Sequence, residues 1–437
     1  MEKDIVILGA GVAGIAASFY GGNDRTIIYE KEDSYGGICG NFKLNNFIFD
    51  TGVHLSFTKS KEVRAIFDKI PYNSFEPYPQ NAYKGSWLNY PIQNNLFSLP
   101  IEEKVKAIIS FFNKDKLKAS EENYKQWLYS RYGKYITEEF FLKYTKKYWC
   151  ENAENLDISW IGNRIYIPSF EEVVYGAMSK DIPNTYYAKE MRYPIIGGYK
   201  EFLRPMLGNS NIVFNRKAMI VDLKNKIIEF DNGNKVSYNY LISTIPLPEL
   251  VSISKDVNEE IRNKSKQLKA TSVLLVSLVI EGELNFNEIW FYIYDEDILP
   301  ARAYLPGKKS LNNIKNGYSS IQFEIYYSEN RPIRISNEEI FDNIYNFLEK
   351  MKLTSKSNII LSDIRNLEYA NVIFYKDTIK NRDFIINFYE DNDVYSIGRF
   401  GQWDYLWSDQ SLLSGKTSIN KIRCKMGNIK ERDSHEE

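Results

Sequence analysis

The first apolar segment of the chain, residues 4–8, has no polar face, which is the pattern of a central strand in a parallel sheet. It is followed at once by Gly9-Ala-Gly11-Val-Ala-Gly14, a helix-like segment at 15–19, and a second strand at 26–29 that ends in Glu30. Glycines at this spacing let the backbone approach a pyrophosphate at a helix N-terminus, and the later carboxylate can hold ribose hydroxyls. The order of strand, turn, helix, strand and acid therefore predicts a dinucleotide-binding Rossmann unit.

In the middle of the chain, the spacing of apolar residues changes from a helical period to the alternation of strands. Residues 101–112 and 121–149 repeat apolar side chains at helical spacing, and Pro100 with Glu102 and Glu103 is a typical helix start. Later segments alternate as strands do, with a hairpin turn at Asp231-Asn-Gly233. The predicted strands are 219–223, 227–230, 240–244, 273–280, 288–294, 319–327 and 358–363.

These segments predict an α/β protein of more than one domain, which agrees with its length of 437 residues. We assign 1–81, 195–270 and 385–425 to a discontinuous nucleotide-binding domain and 82–194 to a mainly helical insert. A second domain, 271–384, is built on an antiparallel β-sheet and carries substrate contacts. Residues 426–437 form a charged tail that we expect to be disordered.

Charge and histidine content narrow the classes of function. With 56 Lys+Arg against 57 Asp+Glu, the chain lacks the basic field that nucleic-acid binding requires. There are only two histidines, and His435 lies in the charged tail. A multi-histidine metal site or a Ser-His-Asp hydrolase is therefore excluded unless His54 alone serves it, and we expect no metal.

Cysteine use and hydropathy bear on the compartment. Cys39, Cys150 and Cys424 are isolated thiols without a Cys-x-x-Cys pair, which fits a reducing cytoplasm. The first residues show no signal peptide, and the longest apolar stretch, near 272–280, is far shorter than a membrane span. The sequence predicts a cytoplasmic protein with no membrane span.

The choice between NAD and FAD depends on the residues after Glu30. Gly36-Gly37 and the later hydrophobic-Asp50-Thr-Gly52 pattern are similar to the glutathione-reductase-type FAD fold of amine oxidases, in which both elements run along the flavin. A late segment, Val394-Tyr-Ser-Ile-Gly398-Arg399, looks like the C-terminal flavin strand of that group. Because segments at both ends of the chain match this group, we favour FAD over NAD. The predicted fold is therefore an FAD-binding Rossmann domain of this type, with the helical insert and the second sheet.

A more specific resemblance is carried by several segments in order along the chain. They resemble the UDP-galactopyranose mutases, and most closely the eukaryotic-type branch. The matching segments are Trp87-Leu-Asn-Tyr90-Pro91-Ile-Gln93, Trp149, Trp160-Ile-Gly162-Asn-Arg164, Arg192-Tyr-Pro194, Trp290-Phe-Tyr292 and Gly398-Arg399-Phe-Gly401-Gln-Trp403-Asp-Tyr405. The resemblance covers most of residues 4–416.

This resemblance implies a reaction without net redox change. The family interconverts the pyranose and furanose forms of a nucleotide sugar: N5 of the reduced flavin attacks the anomeric carbon, UDP leaves, and a flavin–sugar iminium allows the ring to open and reclose. Such covalent catalysis is carried by the cofactor, so the protein supplies positioning and electrostatics. The substrate implied is UDP-galactopyranose or a related hexose, used for surface polysaccharide or glycoconjugates, and NADPH or NADH is the implied reductant.

The resemblance also assigns roles to residues. Arg164 and Arg302 match two arginines that bind the diphosphate, for which a bidentate guanidinium is well suited. His54 matches a histidine placed against the isoalloxazine, and these three are the candidate catalytic residues. The further candidates for substrate binding are Phe57, Tyr90, Gln93, Trp149, Trp290, Tyr292, Tyr405 and Asp409. The candidates for cofactor binding are Gly9, Gly11, Gly14, Glu30, Gly36, Gly37, Asp50, Gly52, His54, Gly398 and Arg399.

Some positions depart from the family pattern. Val53 replaces a glycine before the histidine, which puts the family's redox-linked loop rearrangement in doubt. The tyrosine expected near Asn371 is missing, and Asp409 stands where the eukaryotic-type branch has Asn. Because the departures concentrate near the sugar, a different hexose or nucleotide is consistent with the sequence.

Two other functions stay open at this point. One is a flavoenzyme with net redox turnover, of the amine oxidase or desaturase type, in which Arg164 and Arg302 would not matter for catalysis. The other is a non-enzymatic flavin-binding scaffold. The sequence does not decide oligomeric state, although the helical insert could carry an interface of a homo-oligomer.

Overall fold

The computed structural model describes residues 4–22, 24–117, 121–208 and 210–427. Its strands are β1 Ile5–Leu8, β2 Thr26–Tyr29, β3 Asn41–Leu44, β4 Phe47–Asp50, β5 Tyr72–Phe75, β6 Gln80–Tyr83, β7 Ser86–Asn89, β8 Met191–Pro194, β9 Ile212–Val213, β10 Ala218–Asp222, β11 Ile227–Phe230, β12 Lys235–Ser237, β13 Tyr240–Ser243, β14 Lys269–Glu281, β15 Trp290–Ile293, β16 Arg302–Tyr304, β17 Tyr318–Tyr327, β18 Ile359–Ile373 and β19 Val394–Ser396. Its helices are α1 Val12–Gly21, α2 Lys61–Phe67, α3 Ile101–Phe112, α4 Tyr124–Ile136, α5 Leu142–Tyr148, α6 Phe170–Met178, α7 Arg204–Leu207, α8 Leu247–Ile253, α9 Glu259–Ser265, α10 Pro306–Lys309, α11 Asn337–Lys350, α12 Thr378–Asp391, α13 Gly398–Gly401 and α14 Ser408–Lys425.

A parallel sheet lies at the centre of the nucleotide-binding half, with strand order β19-β13-β1-β2-β9. All four residues of β1 are buried, as its uniformly apolar sequence predicts. Helix α14 packs closely on α1, because a Cβ added at Gly415 would lie 2.5 Å from the carbonyl oxygen of Ala13. The predicted Rossmann architecture is confirmed.

The second sheet has seven strands in the order β18-β14-β17-β16-β15-β6-β7. Its pairs are antiparallel except for β15 with β6, which run parallel, so the predicted antiparallel sheet holds with one exception. The long central strand β14 is apolar over most of its length and lies between β17 and β18. Helix α11 buries Ile344 and Phe347 in the same core as this sheet.

The predicted change to helical structure at residue 82 is wrong, because β6 and β7 form a hairpin at the edge of the seven-stranded sheet. Lys84 and Gly85 both have positive φ at its turn, which suits a two-residue hairpin. Strand β8 also falls in the range predicted as mainly helical, and it pairs with β5. The outer limits of the predicted domains stay a prediction.

The helical segment follows the predicted periodicity. Helix α3 has the predicted bounds, whereas the segment predicted at 121–149 is divided into α4, a π-helical turn at Thr137–Phe141, and α5. Gly133 interrupts α4 with φ +72°, and a Cβ there would lie 2.2 Å from the carbonyl oxygen of Ser110. The close approach of α4 to α3 therefore requires a residue without a side chain.

No helix in the part of the chain that the structure describes is long and apolar enough to span a membrane. The tail predicted as disordered, 426–437, lies outside the described residues except for Met426 and Gly427.

Candidate functional site

One large cavity, of about 1620 Å³, lies between the parallel sheet and the seven-stranded sheet and reaches into the helical segment. Most of the residues singled out from the sequence line it, although they come from all parts of the chain. They are Gly9, Gly11, Glu30, Gly36, Gly37, Gly52, His54, Phe57, Tyr90, Gln93, Trp149, Arg164, Trp290, Tyr292, Arg302, Gly398, Arg399 and Tyr405. Gly14, Asp50 and Asp409 do not line it.

The glycine turn after β1 has room for a cofactor at one position and tight packing at the others. A Cβ at Gly14 would lie 2.0 Å from the carbonyl oxygen of Gly9, and one at Gly9, where φ is +98°, would lie 2.1 Å from Oγ1 of Thr244. At Gly11 the nearest atom would be Cα of Gly37, 3.9 Å away. Gly11 and Gly37 thus leave an open backbone cradle at the N-terminus of α1, as a pyrophosphate requires.

Glu30 lies at the end of β2, where its carboxylate is fixed by backbone donors. Oε2 accepts a hydrogen bond from the amide of Ala10 at 2.6 Å, and Oε1 accepts one from the amide of Glu32 at 3.0 Å. The side chain is buried beside the glycine turn and lines the cavity. This position suits a carboxylate that receives ribose hydroxyls.

Asp50 lies behind the cavity wall, which corrects its predicted contact with the cofactor. Its Oδ2 accepts from Nζ of Lys309 at 2.5 Å and from the hydroxyl of Tyr193 at 2.8 Å, and its Oδ1 accepts from the amide of Tyr199. Lys309 and Asp50 are both fully buried. The carboxylate therefore holds the loop that follows β4, and the cavity is reached by the residues after it, beginning with Thr51 and Gly52.

His54 lies on that loop, with its Nδ1 3.2 Å from the carbonyl oxygen of Gly52. The pKa of the imidazole is lowered to about 4, chiefly by burial and to a smaller extent by the Lys309 ammonium, while the Asp50 and Glu324 carboxylates oppose the shift. His54 is thus neutral at physiological pH. A neutral imidazole on the cavity wall can donate or accept a hydrogen bond without adding charge.

Arg302 begins β16 and faces Glu324 on β17. The two side chains form a buried ion pair, with Nη2 2.6 Å from Oε2, and Nε also donates to Oε2 at 2.8 Å. Burial lowers the pKa of the guanidinium, but the Glu324 carboxylate and the surrounding tyrosines together outweigh it, and the net shift is upward. Because a carboxylate already neutralises its charge, Arg302 is a weaker anion ligand than its sequence position indicated.

Arg164 differs from Arg302 in its hydrogen-bond partners. Its two outer nitrogens donate to the carbonyl oxygens of Trp160 at 2.7 Å and Tyr405 at 2.8 Å. Its guanidinium stacks over the rings of Tyr405 and Trp407, 5.0 and 4.9 Å from their centroids. Burial lowers its pKa, and Arg399 adds to that shift. Among the described residues, Arg164 therefore presents a fixed positive charge that is not balanced by a bonded carboxylate, which suits an anionic ligand.

Arg399 lies on the other side of Tyr405, with its guanidinium 4.3 Å from the ring centroid. It donates to the carbonyl oxygens of Leu406 and Ala370 and to Oδ1 of Asn371. The Tyr405 hydroxyl is 2.8 Å from that of Tyr148. Two arginines and two tyrosyl hydroxyls thus meet in one part of the cavity.

Aromatic side chains form much of the remaining wall. Phe57 packs edge-on against Trp407 with ring centroids 4.7 Å apart, and Tyr90 lies 5.2 Å from Tyr292. Trp290 lies near Tyr186, and Trp149 lies against both Trp160 and Tyr405. The buried Gln93 uses its Nε2 to donate to the carbonyl oxygen of Tyr166. Such a wall excludes water and offers flat surfaces to a base or a sugar.

Asp409 lies in the first turn of α14, outside the cavity wall. Its Oδ1 accepts from the amide of Gln410 at 2.9 Å, so the carboxylate supports the start of its own helix. This differs from the substrate contact predicted for it.

Sequence reasoning missed a row of polar groups on β17. Gln322 accepts from the amide of Gly52, and Glu324 accepts from the amide of Val53 and from the hydroxyl of Tyr326. The signal was available, because Gln322, Glu324 and Tyr326 alternate with the apolar Ile321, Phe323 and Ile325 along the strand. The hydrogen bonds from the amides of Gly52 and Val53 hold the loop that carries His54 against the second sheet.

Comparison with known proteins gives a fold match over nearly the whole chain. A reduced UDP-galactopyranose mutase superposes with a TM-score of 0.92 at 21% identity, covering 99% of this chain and 95% of that one. The chain has the fold of UDP-galactopyranose mutase. The resemblance predicted from the sequence is thus confirmed at the level of the fold, and so is the predicted fold class.

Proteins of other activities share this fold less closely. Putrescine oxidase bound to putrescine superposes with a TM-score of 0.65 at 13% identity, covering 97% of this chain and 99% of that one. A CLA-producing fatty acid isomerase from P. acnes has a TM-score of 0.64 at 12% identity, covering 96% and 98%. The fold alone therefore does not decide between isomerisation and oxidation.

Sequence comparison gives two shorter matches, one of which lies at the nucleotide-binding end. The NAD(P)-binding Rossmann-like domain family matches residues 7–70. All-trans-retinol 13,14-reductase from Danio rerio is 26% identical over 113 residues, which is 25% of this chain and 17% of that protein. The family match over residues 7–70 supports a dinucleotide cofactor in the cradle formed by Gly11, Glu30 and Gly37.

Proposed function

We propose that the protein is an FAD-dependent nucleotide-sugar pyranose–furanose mutase that converts UDP-galactopyranose to UDP-galactofuranose, or acts on a related hexose. The observation that carries the proposal is Arg164, a half-buried guanidinium that donates to backbone carbonyls, in the same cavity as the dinucleotide cradle. A leaving group of two phosphates needs such a fixed cation close to the cofactor. The 0.92 TM-score against a UDP-galactopyranose mutase supports the same assignment.

FAD fits the residues that line the cavity. The turn at Gly9 and Gly11 would receive the pyrophosphate, with Gly14 allowing α1 to pack closely behind it. Glu30 would receive the ribose, and Gly36 with Gly37 the extended part of the cofactor. Gly52, Gly398 and Arg399 would border the isoalloxazine, with His54 facing it. When bound and reduced, the flavin supplies the nucleophile for the anomeric carbon. NADPH or NADH is the proposed source of the electrons.

The arginines and tyrosines bind and orient the nucleotide. Arg164 would hold the diphosphate as the glycosidic bond breaks, because its guanidinium is already oriented by two carbonyls and a stack with Tyr405. Tyr405 and Tyr292 would donate hydroxyls. Arg302 would add a weaker field, since Glu324 shares its charge. Keeping UDP beside the sugar lets the same bond reform after the ring recloses.

His54 would act as a neutral hydrogen-bonding group. Its depressed pKa, about 4, keeps positive charge away from the cofactor at pH 7. The aromatic wall of Phe57, Tyr90 and Trp290 excludes water, which would otherwise hydrolyse an activated sugar. Gln93 and Trp149 support that wall.

The product of such an enzyme would enter a surface polysaccharide or glycoconjugate. We place the enzyme in the cytoplasm, where reduced nicotinamide cofactors and nucleotide sugars are available. The three cysteines are free thiols in the structure, which is consistent with a reducing compartment.

The direct test is to incubate dithionite-reduced, FAD-loaded protein with UDP-galactofuranose and to separate the products by chromatography. We expect UDP-galactopyranose from the reduced protein and none from the oxidised protein. Arg164→Ala should abolish conversion, while Arg334→Ala, at an exposed position, should not. Absence of conversion with any of several UDP- and dTDP-furanoses would exclude the proposal.

The competing proposal is an oxidoreductase of the amine oxidase or desaturase type. It is favoured by the shared fold of putrescine oxidase and by the sequence match to a retinol reductase. Substrate-dependent flavin reduction with peroxide release in air would support it, and Arg164→Ala would then leave turnover unchanged. A flavin scaffold without activity would retain FAD but show no saturable UDP binding.

We also propose that the protein self-associates through α3. The helix exposes an apolar stripe of Ile101, Val105, Ile109 and Phe112 at helical spacing, and the neighbouring α6 adds Met178. Two copies related by a twofold axis would bury these apolar side chains against each other. Light scattering after gel filtration should show a dimer that Ile109→Asp dissociates and Leu311→Asp, at another exposed apolar position, does not.

A further inference from the structure

Lys309 is the last residue of α10, and its side chain is fully buried. Its Nζ donates to Oδ2 of Asp50 at 2.5 Å. The ammonium also lies over two ring faces, 4.4 Å from the centroid of Tyr193 and 4.2 Å from that of Tyr304. A buried ammonium is stable in such a place because a carboxylate and two aromatic faces replace its hydration.

The partner, Asp50, is held as a carboxylate by three donors. Besides Lys309 these are the hydroxyl of Tyr193 at 2.8 Å and the backbone amide of Tyr199 at 3.1 Å. Hydrogen bonds of this kind stabilise the charged form of a carboxyl group. Asp50 and Lys309 are therefore a buried pair of opposite charges that cancel at a distance.

The field of this pair reaches the wall of the cavity. The loop after Asp50 leads to His54, whose pKa is lowered chiefly by burial, raised by the Asp50 and Glu324 carboxylates and lowered by the Lys309 ammonium. Cys39 lines the same cavity, and burial and the Asp50 carboxylate both raise the pKa of its thiol. Either charge of the pair, left alone, would therefore be felt where the cofactor would lie.

A second carboxylate on this loop is balanced in the same way. Glu324 accepts from the amide of Val53 and forms an ion pair with Arg302. Both cations, Arg302 and Lys309, lie on one short segment that runs from β16 into α10. Two carboxylates thus fix the loop that carries His54, and each has its own cation.

We propose that Lys309 is a positioning residue for the cofactor, which cancels the charge of Asp50 and so lets that carboxylate fix the loop without opposing reduction of the flavin. Reduction places negative charge on the isoalloxazine at neutral pH, and charge near the ring tunes its electronics. The inference rests on the proposed function through its cofactor. It extends that function by assigning part of the control of the reduction potential to a side chain of α10.

Three variants separate this electrostatic role from a packing role. Lys309→Met keeps an unbranched side chain and leaves the Asp50 carboxylate unbalanced. Asp50→Asn keeps the shape of its side chain and leaves the ammonium unbalanced. The double variant removes both charges. Lys308→Met is the matched control, because it removes an exposed ammonium from the same short helix.

The first measurement is the midpoint potential of the flavin in FAD-loaded protein, by equilibration with a reference dye, with flavin content and Tm recorded. We expect Lys309→Met to make reduction about tenfold less favourable, which is about 30 mV for a two-electron couple. Asp50→Asn should shift the potential in the opposite direction, and the double variant and the control should stay near the parent. Shifts in the same direction for both single variants would indicate disturbed packing and overturn the proposal. So would an unchanged potential in Lys309→Met.

The second measurement needs no cofactor and serves for a variant that retains no flavin. In flavin-free protein with His435→Gln, the His54 imidazole can be titrated by NMR. Lys309→Met should raise its midpoint above that of the parent, because Asp50 then attracts the proton, and Asp50→Asn should lower it. Equal midpoints in the parent and both variants would overturn the proposal.

The same experiments distinguish this inference from the proposed function. If the parent converts a nucleotide furanose but the variants show no opposite shifts, the role of Lys309 is wrong and the mutase proposal stands. If the shifts are found and no furanose is converted, the mutase proposal fails and the role of Lys309 stands. If the parent does not bind FAD, both fail.

Discussion

Arg302 and Glu324 face each other across β16 and β17 and form an ion pair at 2.6 Å with the carboxylate almost fully buried. Glu324 also accepts from the amide of Val53, next to His54. One carboxylate thus connects the second sheet, an arginine of the cavity and the loop that faces the cofactor cradle. The pair makes Arg302 unlike Arg164, whose charge is not shared in this way.

We expect Glu324→Gln to destabilise the protein, because breaking a buried ion pair from one side leaves an uncompensated charge and costs about 3–5 kcal/mol. Tm by differential scanning calorimetry should fall by several degrees. The double variant Arg302→Gln with Glu324→Gln should be less destabilised than the sum of the two single changes. Glu329→Gln, in an exposed pair with Lys269, should leave Tm within a degree or so of the parent.

The quantity that decides is the coupling free energy, which is the difference between the effect of the double variant and the sum of the two single effects. Additive effects of the two substitutions would mean that Arg302 and Glu324 do not interact in solution. A coupled loss would identify the pair as structural and would support the proposal that Arg302 contributes less to nucleotide binding than Arg164.

Arg164→Lys tests whether the planar guanidinium is required. An ammonium cannot donate to the carbonyls of both Trp160 and Tyr405 while stacking on Tyr405, so we expect UDP affinity to fall by about tenfold or more. Flavin content should stay unchanged, because Arg164 does not belong to the dinucleotide cradle. Arg334→Lys provides the matched control at an exposed site. Equal UDP affinities in Arg164→Lys and the parent would show that charge alone suffices there.

The parts of the molecule that sequence predicts well depend on local chemistry. The turn from Gly9 to Gly14 and the acid at Glu30 are fixed by backbone space and by the end of a strand, and the structure places them as predicted. Helix α3 likewise follows from a local period with a proline start.

The parts that sequence predicts badly depend on partners far along the chain. The motif around Asp50 indicates a cofactor contact, but Lys309, 259 residues later, takes its carboxylate. The family resemblance assigns Arg302 to the diphosphate, but the strand register sets Glu324 opposite it. Neither pairing can be predicted from the local spacing of apolar residues, because register depends on two strands together.

We expect Gly14→Ala to impair folding and Gly11→Ala to impair cofactor binding. A Cβ at Gly14 would clash with the carbonyl of Gly9 at 2.0 Å, so we expect poor folding and a large fall in Tm. A Cβ at Gly11 has space and an extended backbone with φ −77°, so folding should be kept while the methyl group occupies the pyrophosphate cradle. Gly11→Ala should therefore show a near-parental Tm in the flavin-free form and a reduced FAD content by absorbance. An FAD content equal to the parent in Gly11→Ala would place the cofactor elsewhere.

The protonation state of His54 can be observed directly, because the chain has only one other histidine. In a His435→Gln background with labelled histidine, the single remaining imidazole should titrate in NMR spectra with a pKa of about 4, below the ordinary 6.5. Cofactor binding would bury the ring further and keep the pKa low, since desolvation disfavours the cation. A midpoint near 6.5 would show that the ring is solvated and is not part of the cavity wall.

The same shift predicts how stability depends on pH. Between pH 6.5 and 4 the unfolded chain binds a proton at residue 54 that the folded protein does not, so the free energy of unfolding falls as pH falls through this window. The slope from this one group approaches about 1.4 kcal/mol per pH unit. His54→Asn removes the group, so its Tm should decline less than that of the parent between pH 7 and pH 5. Parallel declines would mean that the imidazole charges freely in the folded state, and that the wall beside the cofactor cradle is open to solvent.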